Sequence, residues 1–155
     1  MQNIHIRLAT IRDLDFILSM LPRLSEFGPP AWRDANSMLL TDTNIIKAKL
    51  NDSAGESVIY LAESNENIPL GFVHLQPGND YYNKEPHAHI SDLIVSGTAG
   101  GQGVGLRLIG QAETWARQNG YRWLTLSVFA QNTRARELYS RLGFGEDIMK
   151  YVKQL

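Results

Sequence analysis

Residues 88 to 105 place an apolar strand, Ala88 to Val95, just ahead of four glycines in six positions: Gly100, Gly101, Gly103 and Gly105. A helical apolar pattern follows at once through Val104, Leu108, Ala112 and Trp115. A strand that passes through bare backbone into a helix belongs to folds in which helices pack on a sheet. It is also a place where anions bind. The first N–H groups of a helix have no intrahelical partner and lie at the positive end of its dipole. Glycines lack Cβ atoms, so they can take positive φ angles and let ligand oxygens reach the amides. A pair of glycines would be accounted for by a flexible connection; four directly before a helix favour a phosphate cradle.

The loop itself excludes two phosphate ligands. A nucleoside triphosphate loop ends in Gly-Lys-Ser/Thr, whereas this one holds no lysine and continues Gly103, Val104, Gly105, Leu106. A dinucleotide loop needs a third glycine where Leu106 stands, and an acidic residue about twenty positions on, where Tyr121 and Arg122 are found.

Composition narrows the classes further. At 155 residues the chain is expected to form one domain, residues 1–155, with a full core. Fifteen Lys plus Arg against sixteen Asp plus Glu leave a net charge of −1, which gives no global field for nucleic acid or an anionic membrane. With no cysteine, a thiolate metal site and a cysteine acyl-enzyme are both excluded. No apolar run approaches a membrane span and no secretory leader precedes Ile4 to Leu8, so a cytoplasmic protein is expected.

Along the chain, Thr10 and Asp13 read as a capping box opening a helix with Leu14, Ile17, Leu18 and Leu21 on one face. Pro22 and the Gly28, Pro29, Pro30 cluster interrupt it, and a second helix is predicted from Ala35 to Leu50. Val58 to Glu63 and Leu70 to Gln76 read as strands joined by a turn at Asn65 to Asn67, and Pro77 to Pro86 as an exposed loop. Then follow a strand over His87 to Val95, a helix over Gly103 to Asn119 stopped by Gly120, and a strand over Tyr121 to Val128. A helix over Asn132 to Leu142, closed by Gly143, and a strand over Ile148 to Val152 end the chain. Strands with helices interspersed indicate a mixed α/β (α+β) layer architecture.

Two segments together resemble a known family. The stretch from Val95 to Gly105 is similar to the acetyl-CoA pyrophosphate loop of the GCN5-related N-acetyltransferases (GNAT), Arg/Gln-x-x-Gly-x-Gly/Ala. Asn132, Ala135, Leu138, Tyr139 and the triplet Leu142, Gly143, Phe144 resemble that family's C-terminal signature, and Ile6 to Asp13 its first strand and helix. The resemblance implies an acyl-CoA N-acyltransferase fold: a central, mostly antiparallel mixed sheet of six to seven strands flanked by about four helices. It implies acetyl transfer from acetyl-CoA to a primary amine of a small molecule or peptide by direct attack in a ternary complex, with no metal. The other reading is a non-catalytic acyl-CoA-binding regulatory domain. No nucleic-acid or membrane partner is expected, and a homodimer is compatible with the reading.

By the same resemblance, backbone amides from Gly100 through Gly101, Gln102, Gly103 and Val104 to Gly105 bind the pyrophosphate. Gly100 departs from the family's Arg or Gln, which removes one side-chain contact. Backbone groups of Leu93, Ile94 and Val95 would meet the pantetheine arm, and N–H donors there could polarise the thioester oxygen. Tyr139, seven residues after Asn132, would point its hydroxyl at the departing sulfur. A thiol of pKa about 8.5 facing a phenol of about 10 makes full proton transfer uphill by roughly 2 kcal/mol, so Tyr139 is expected to donate a hydrogen bond. Its other role is that of an amphipathic core tyrosine. Asn132 would contact the cofactor, or cap the helix that follows it.

His89, six residues before Val95, stands where several GNAT branches carry a base, and its imidazole suits the task. Regular alternation puts Ser91 on the same face and Asp92 on the other. Ser127 replaces the glutamate found five residues before the motif Asn in the branch acting on a ribosomal protein N-terminus, which speaks against that substrate. Trp32, Tyr81 and Tyr82 could line an amine pocket, with Glu26, Asp34, Asp80 or Glu85 attracting a cation.

Overall fold

The structure, a computed structural model, describes residues 3–52 and 55–155. Among the described residues five strands form one sheet in chain order: β1 (His5–Leu8), β2 (Val58–Glu63), β3 (Pro69–Asn79), β4 (Pro86–Val95) and β5 (Leu124–Leu126). Pairing is antiparallel from β1 to β4 and parallel between β4 and β5. Four α-helices accompany it: α1 (Leu14–Met20), α2 (Ala35–Asn51), α3 (Val104–Gln118) and α4 (Thr133–Arg141).

The mixed α/β class and the mostly antiparallel mixed sheet are as expected, whereas the strand count is five rather than six to seven. The predicted strand over Ile148 to Val152 is not formed. A strand needs a partner for its N–H and C=O groups, and no described residue pairs with this segment; Ile148 and Tyr151 are 76% and 86% exposed. The strand predicted over Tyr121 to Val128 contracts to Leu124–Leu126, because only these residues find partners on β4. In the opposite sense β3 runs on through Pro77 to Asn79, so the β3–β4 loop is shorter than the sequence suggested.

Helices cover both faces of the sheet. Leu108, Ala112 and Trp115 of α3 pack against Val73, Leu75, Ala88 and Ile90. Ile17 and Met20 of α1 and Ile46 of α2 pack against Ile59, Leu61, Phe72 and Ile94 on the other side. Each large apolar side chain so enclosed contributes about 1.5–3 kcal/mol. Local signals set the helix ends: Asp34 caps α2 by accepting from Ser37 N–H at 2.9 Å, and Gly120 and Gly143 take positive φ after α3 and α4. At the first turn the Asp13 carboxylate accepts from Thr10 N–H at 2.8 Å, as the capping-box reading requires. Arg7 holds the same carboxylate with two N–H groups at 2.8 and 2.9 Å and Glu63 with its Nε at 2.9 Å.

One irregularity in β4 decides what faces the site. Ala88 and Ile90 belong to the α3 side, yet so do Leu93 and Val95, while Ile94 belongs to the α1–α2 side. The ladder explains the change of phase. His74 pairs with Asp92 and Leu75 with Ile90, so Ser91 is an extra residue, a β-bulge. The expectation that Asp92 faces away from His89 is therefore corrected: the bulge returns Asp92 to the face that carries His89. Beyond it β3 and β4 run close, and a Cβ on Gly71 would lie 2.6 Å from the Ile94 carbonyl oxygen.

Candidate active site

The glycine loop leads from β4 into α3. Gly101 and Gly103 take φ of +77° and +80°, the left-handed region that only glycine adopts without strain. Gly100 and Gly105 need no such freedom, which corrects the expectation for them. Gly100 has φ −60° and ψ 137°, and Gly105 lies within α3, where a Cβ would make an ordinary 3.7 Å contact with Val95 Cγ2. The i→i−4 bond from Arg107 N–H to the Gly103 carbonyl (3.1 Å) opens the helix, so the amides of Val104, Gly105 and Leu106 are first-turn donors aimed out of it. The Gln102 side chain folds back, donating to the Thr98 carbonyl at 3.1 Å.

Beside this loop the sheet opens. β5 pairs with β4 only at Ala88, His89 and Ile90, and β4 continues for five residues beyond that ladder to Val95. Leu93, Ile94 and Val95 are thus bonded to β3 on one side and, among the described residues, carry no strand on the other. An extended ligand chain can align along that free edge, with its anionic end at the α3 N-terminus.

His89 sits at the closed end of the opening, where its Nδ1 is 2.8 Å from Thr125 Oγ1 on β5. Burial is the main cause holding this imidazole below its ordinary pKa; His87 pushes the same way and Asp92 opposes. Tyr139 stands on α4, its ring edge-on to Phe144 at 5.7 Å, with burial raising the phenol above its ordinary value. Among the described residues no hydrogen bond or ring contact joins Tyr139 to His89 or to the glycine loop. Asn132 caps α4, its Oδ1 accepting from Ala135 N–H at 3.1 Å. That bond occupies one lone pair of the oxygen, and the side-chain NH2 remains as a donor. No group of three or more His, Asp or Glu side chains among the described residues could hold a metal ion.

The loop aromatics expected to line an amine pocket lie on different parts of the surface. Tyr81 and Tyr82 are 77% and 82% exposed on the hairpin tip, whereas Trp32 lines a cleft of about 570 Å³ together with Arg33, Asp34, Ser37, Met38, Thr41 and Asp42. All four acids singled out from the sequence are engaged locally. Glu26 pairs with Arg23 at 3.3 Å and Glu85 with Arg122 at 3.4 Å. Asp34 caps α2, and Asp80 accepts from the amides of Tyr82 and Asn83 at 2.9 Å each. Missed were Asp42 on α2 and the buried His74, whose Nδ1 lies 3.4 Å from Asp92 Oδ2. Nothing in their sequence surroundings distinguishes either residue.

Known proteins resemble the chain both in sequence and in fold. A model of the Acetyltransferase (GNAT) family matches residues 18–144. "Uncharacterized N-acetyltransferase YhfO" of Bacillus subtilis (strain 168) is 33% identical over 143 residues, 92% of this chain and 91% of that protein. "N-acetyltransferase 8B" of Homo sapiens is 32% identical over 133 residues, 84% of this chain and 57% of that protein. A putative acetyl transferase from Pyrococcus furiosus superposes with a TM-score of 0.80 at 22% identity, covering 99% of this chain and 100% of that one. The structure of AAC(6')-Iy in complex with a bisubstrate analogue, CoA-S-monomethyl-acetylneamine, has a TM-score of 0.70 at 20% identity, with 99% of each chain covered. The open β4 edge, the glycine cradle and the match over most of the sequence agree, and the chain belongs to the acetyltransferase (GNAT) family.

Proposed function

We propose that this protein is a cytoplasmic, acetyl-CoA-dependent N-acetyltransferase, one catalytic domain over residues 1–155. It would acetylate a primary amine of a small-molecule or peptide acceptor by direct attack in a ternary complex. The observation that carries the proposal is the juxtaposition on β4 of a free backbone edge, Leu93 to Val95, with the glycine cradle at one end and His89 at the other. Acetyl-CoA supplies the activated thioester.

Each residue then has a task. The amides of Gly100 to Gly105, with Gln102 and Val104 between the glycines, hold the diphosphate, and the Asn132 NH2 adds a donor. The Leu93 to Val95 backbone aligns the pantetheine arm, and an N–H aimed at the thioester oxygen is worth a few kcal/mol. In the tautomer with its proton on Nδ1, His89 donates to Thr125 Oγ1 at 2.8 Å, which leaves that hydroxyl's own proton for the Ala88 carbonyl at 3.4 Å. That leaves the Nε2 lone pair to take the proton of an incoming ammonium. An imidazole kept neutral by burial is in the right form for it. Tyr139, its pKa raised further above that of a thiol, keeps its proton and donates a hydrogen bond to the departing sulfur.

Thiol release from acetyl-CoA across a panel of amines tests the proposal, with calorimetry for donor binding. Absence of acetyl-CoA binding refutes it. Binding without an acetylated product from any amine would instead indicate a non-catalytic acyl-CoA-binding regulatory domain.

A further inference from the structure

The chain changes character at β5. From Val128 to Leu155 no residue is buried, and no member of either core cluster lies beyond Leu126. The hydrogen bonds and ion pairs of this segment among the described residues close within it, as between Arg136 and Glu146 at 2.8 Å and between Phe144 N–H and the Tyr139 carbonyl at 3.0 Å. Its side chains are nevertheless those of a packed unit. Leu138, Tyr139 and Leu142 recur at helical spacing on α4, and Ile148, Met149, Tyr151 and Val152, all exposed, make up most of a run of strand length. Alternation puts Ile148 and Val152 on one face of that run and Met149 and Tyr151 on the other, the pattern of a strand covered on both sides. Monomers rarely leave such a run in water.

The edge that this run lacks is present elsewhere in the chain. β5 is the last strand of the sheet, and its outer side meets no other strand among the described residues. Leu124 and Leu126 pack against the α3 core, and Thr125 between them lies 2.8 Å from His89 Nδ1, so this bare edge belongs to the wall of the candidate site. It also lacks the devices that keep edges from pairing, since Leu-Thr-Leu offers neither proline nor charge. One chain thus carries a strand without an edge and an edge without a strand. The two do not pair within the chain, and identical copies satisfy both needs at once when each lays its tail on the other's β5. A reciprocal exchange of this kind closes about a twofold axis and leaves no end free to grow.

We propose that residues 148–152 of one copy pair with β5 of a second copy, and the reverse, so that the protein is an exchanged dimer in which each tail extends the other's sheet by one strand. The added strand braces Thr125 against His89, which links assembly to the candidate site. The proposal does not depend on acetyl transfer, and its test reads assembly rather than turnover. The full chain is measured by sedimentation over a range of concentrations. Isotope-filtered NMR is then run on a sample unfolded and refolded together from equal parts of labelled and unlabelled chain. Twice the mass of the chain is expected, with contacts between residues 148–152 and 124–126 that join labelled to unlabelled copies. Tyr151→Asp should raise the dimer dissociation constant by about tenfold or more, the scale of losing an interface anchor.

A monomer at every concentration overturns the proposal. So does a dimer that lacks these contacts, or one in which they lie within a single chain, the tail then having folded back on its own β5. A dissociation constant unchanged by Tyr151→Asp overturns it as well. Should that variant not fold, the NMR measurement on the wild type decides alone.

Discussion

Replacing Gly100 by arginine should tighten coenzyme A binding. The position has φ −60° and ψ 137°, which any residue adopts, and a Cβ there would come no closer than 3.6 Å to the Gly97 carbonyl oxygen. The substitution therefore strains neither backbone nor neighbours. A guanidinium at the edge of a diphosphate cradle gains a charge-assisted hydrogen bond, about 1.5–3 kcal/mol net. Fixing the long side chain costs up to ~2 kcal/mol. The balance is about 1 kcal/mol, or roughly fivefold in Kd. Calorimetry of coenzyme A against wild type, Gly100→Arg and Gly100→Ala at two salt concentrations measures it. Gly100→Ala, with a Cβ and no donor, should bind like wild type, and the arginine gain should shrink in high salt because the loop is exposed. If Gly100→Arg binds no tighter than Gly100→Ala at low salt while remaining folded, the placement of the diphosphate beside Gly100 is wrong.

Tyr139→Phe should leave coenzyme A affinity nearly unchanged and lower kcat by roughly 10²–10⁴, read in the thiol-release assay; unchanged turnover would remove the phenol from the mechanism. His89 works as a base only when neutral, so kcat should fall on acidification through a pKa below the ordinary 6.5, and His89→Gln should abolish that limb of the pH–rate profile. The same depressed pKa adds stability that is full above pH 6.5 and is lost as pH falls toward the folded-state value, which thermal melts of wild type and His89→Gln will compare. Arg7→Met leaves Asp13 and Glu63, each 6% exposed, without their cation and should cost on the order of 3–5 kcal/mol in urea unfolding. In the wild type the Arg7 hydrogen bonds hold the Asp13 carboxyl below its ordinary value of 3.8, so its contribution is present above that pH and lost as pH falls below it.

The elements with a strong period were readable from sequence: α3 with its apolar stripe and flanking glycines, α4 with Asn132 and Gly143 at its ends, and β2 to the residue. Cofactor-facing candidates cluster in sequence because a loop and a strand edge are local objects. What escaped is tertiary. Asp42 reads as a polar position on an exposed helical turn, and only the fold half-buries it. The bulge at Ser91 is one residue long and leaves no compositional trace, so simple alternation misplaced Asp92. Ile148 to Val152 has the apolar content of a strand, yet a strand exists only where another backbone accepts its hydrogen bonds. The acids in the loops looked free because their partners, Arg23, Arg122 and backbone amides, are matters of geometry.

The extra residue in β4 has a consequence for how this chain can change over time. Upstream of it, even-numbered side chains at 88 and 90 pack under α3; downstream, the odd-numbered ones at 93 and 95 do so. Deleting Ser91 would restore strict alternation by sliding one half of the strand, and with it either the His89 end or the glycine cradle, into the opposite layer. Substitutions at this strand can be absorbed singly, whereas a one-residue deletion turns half of it inside out. The length of β4 is thus held fixed even where its side chains are free to vary.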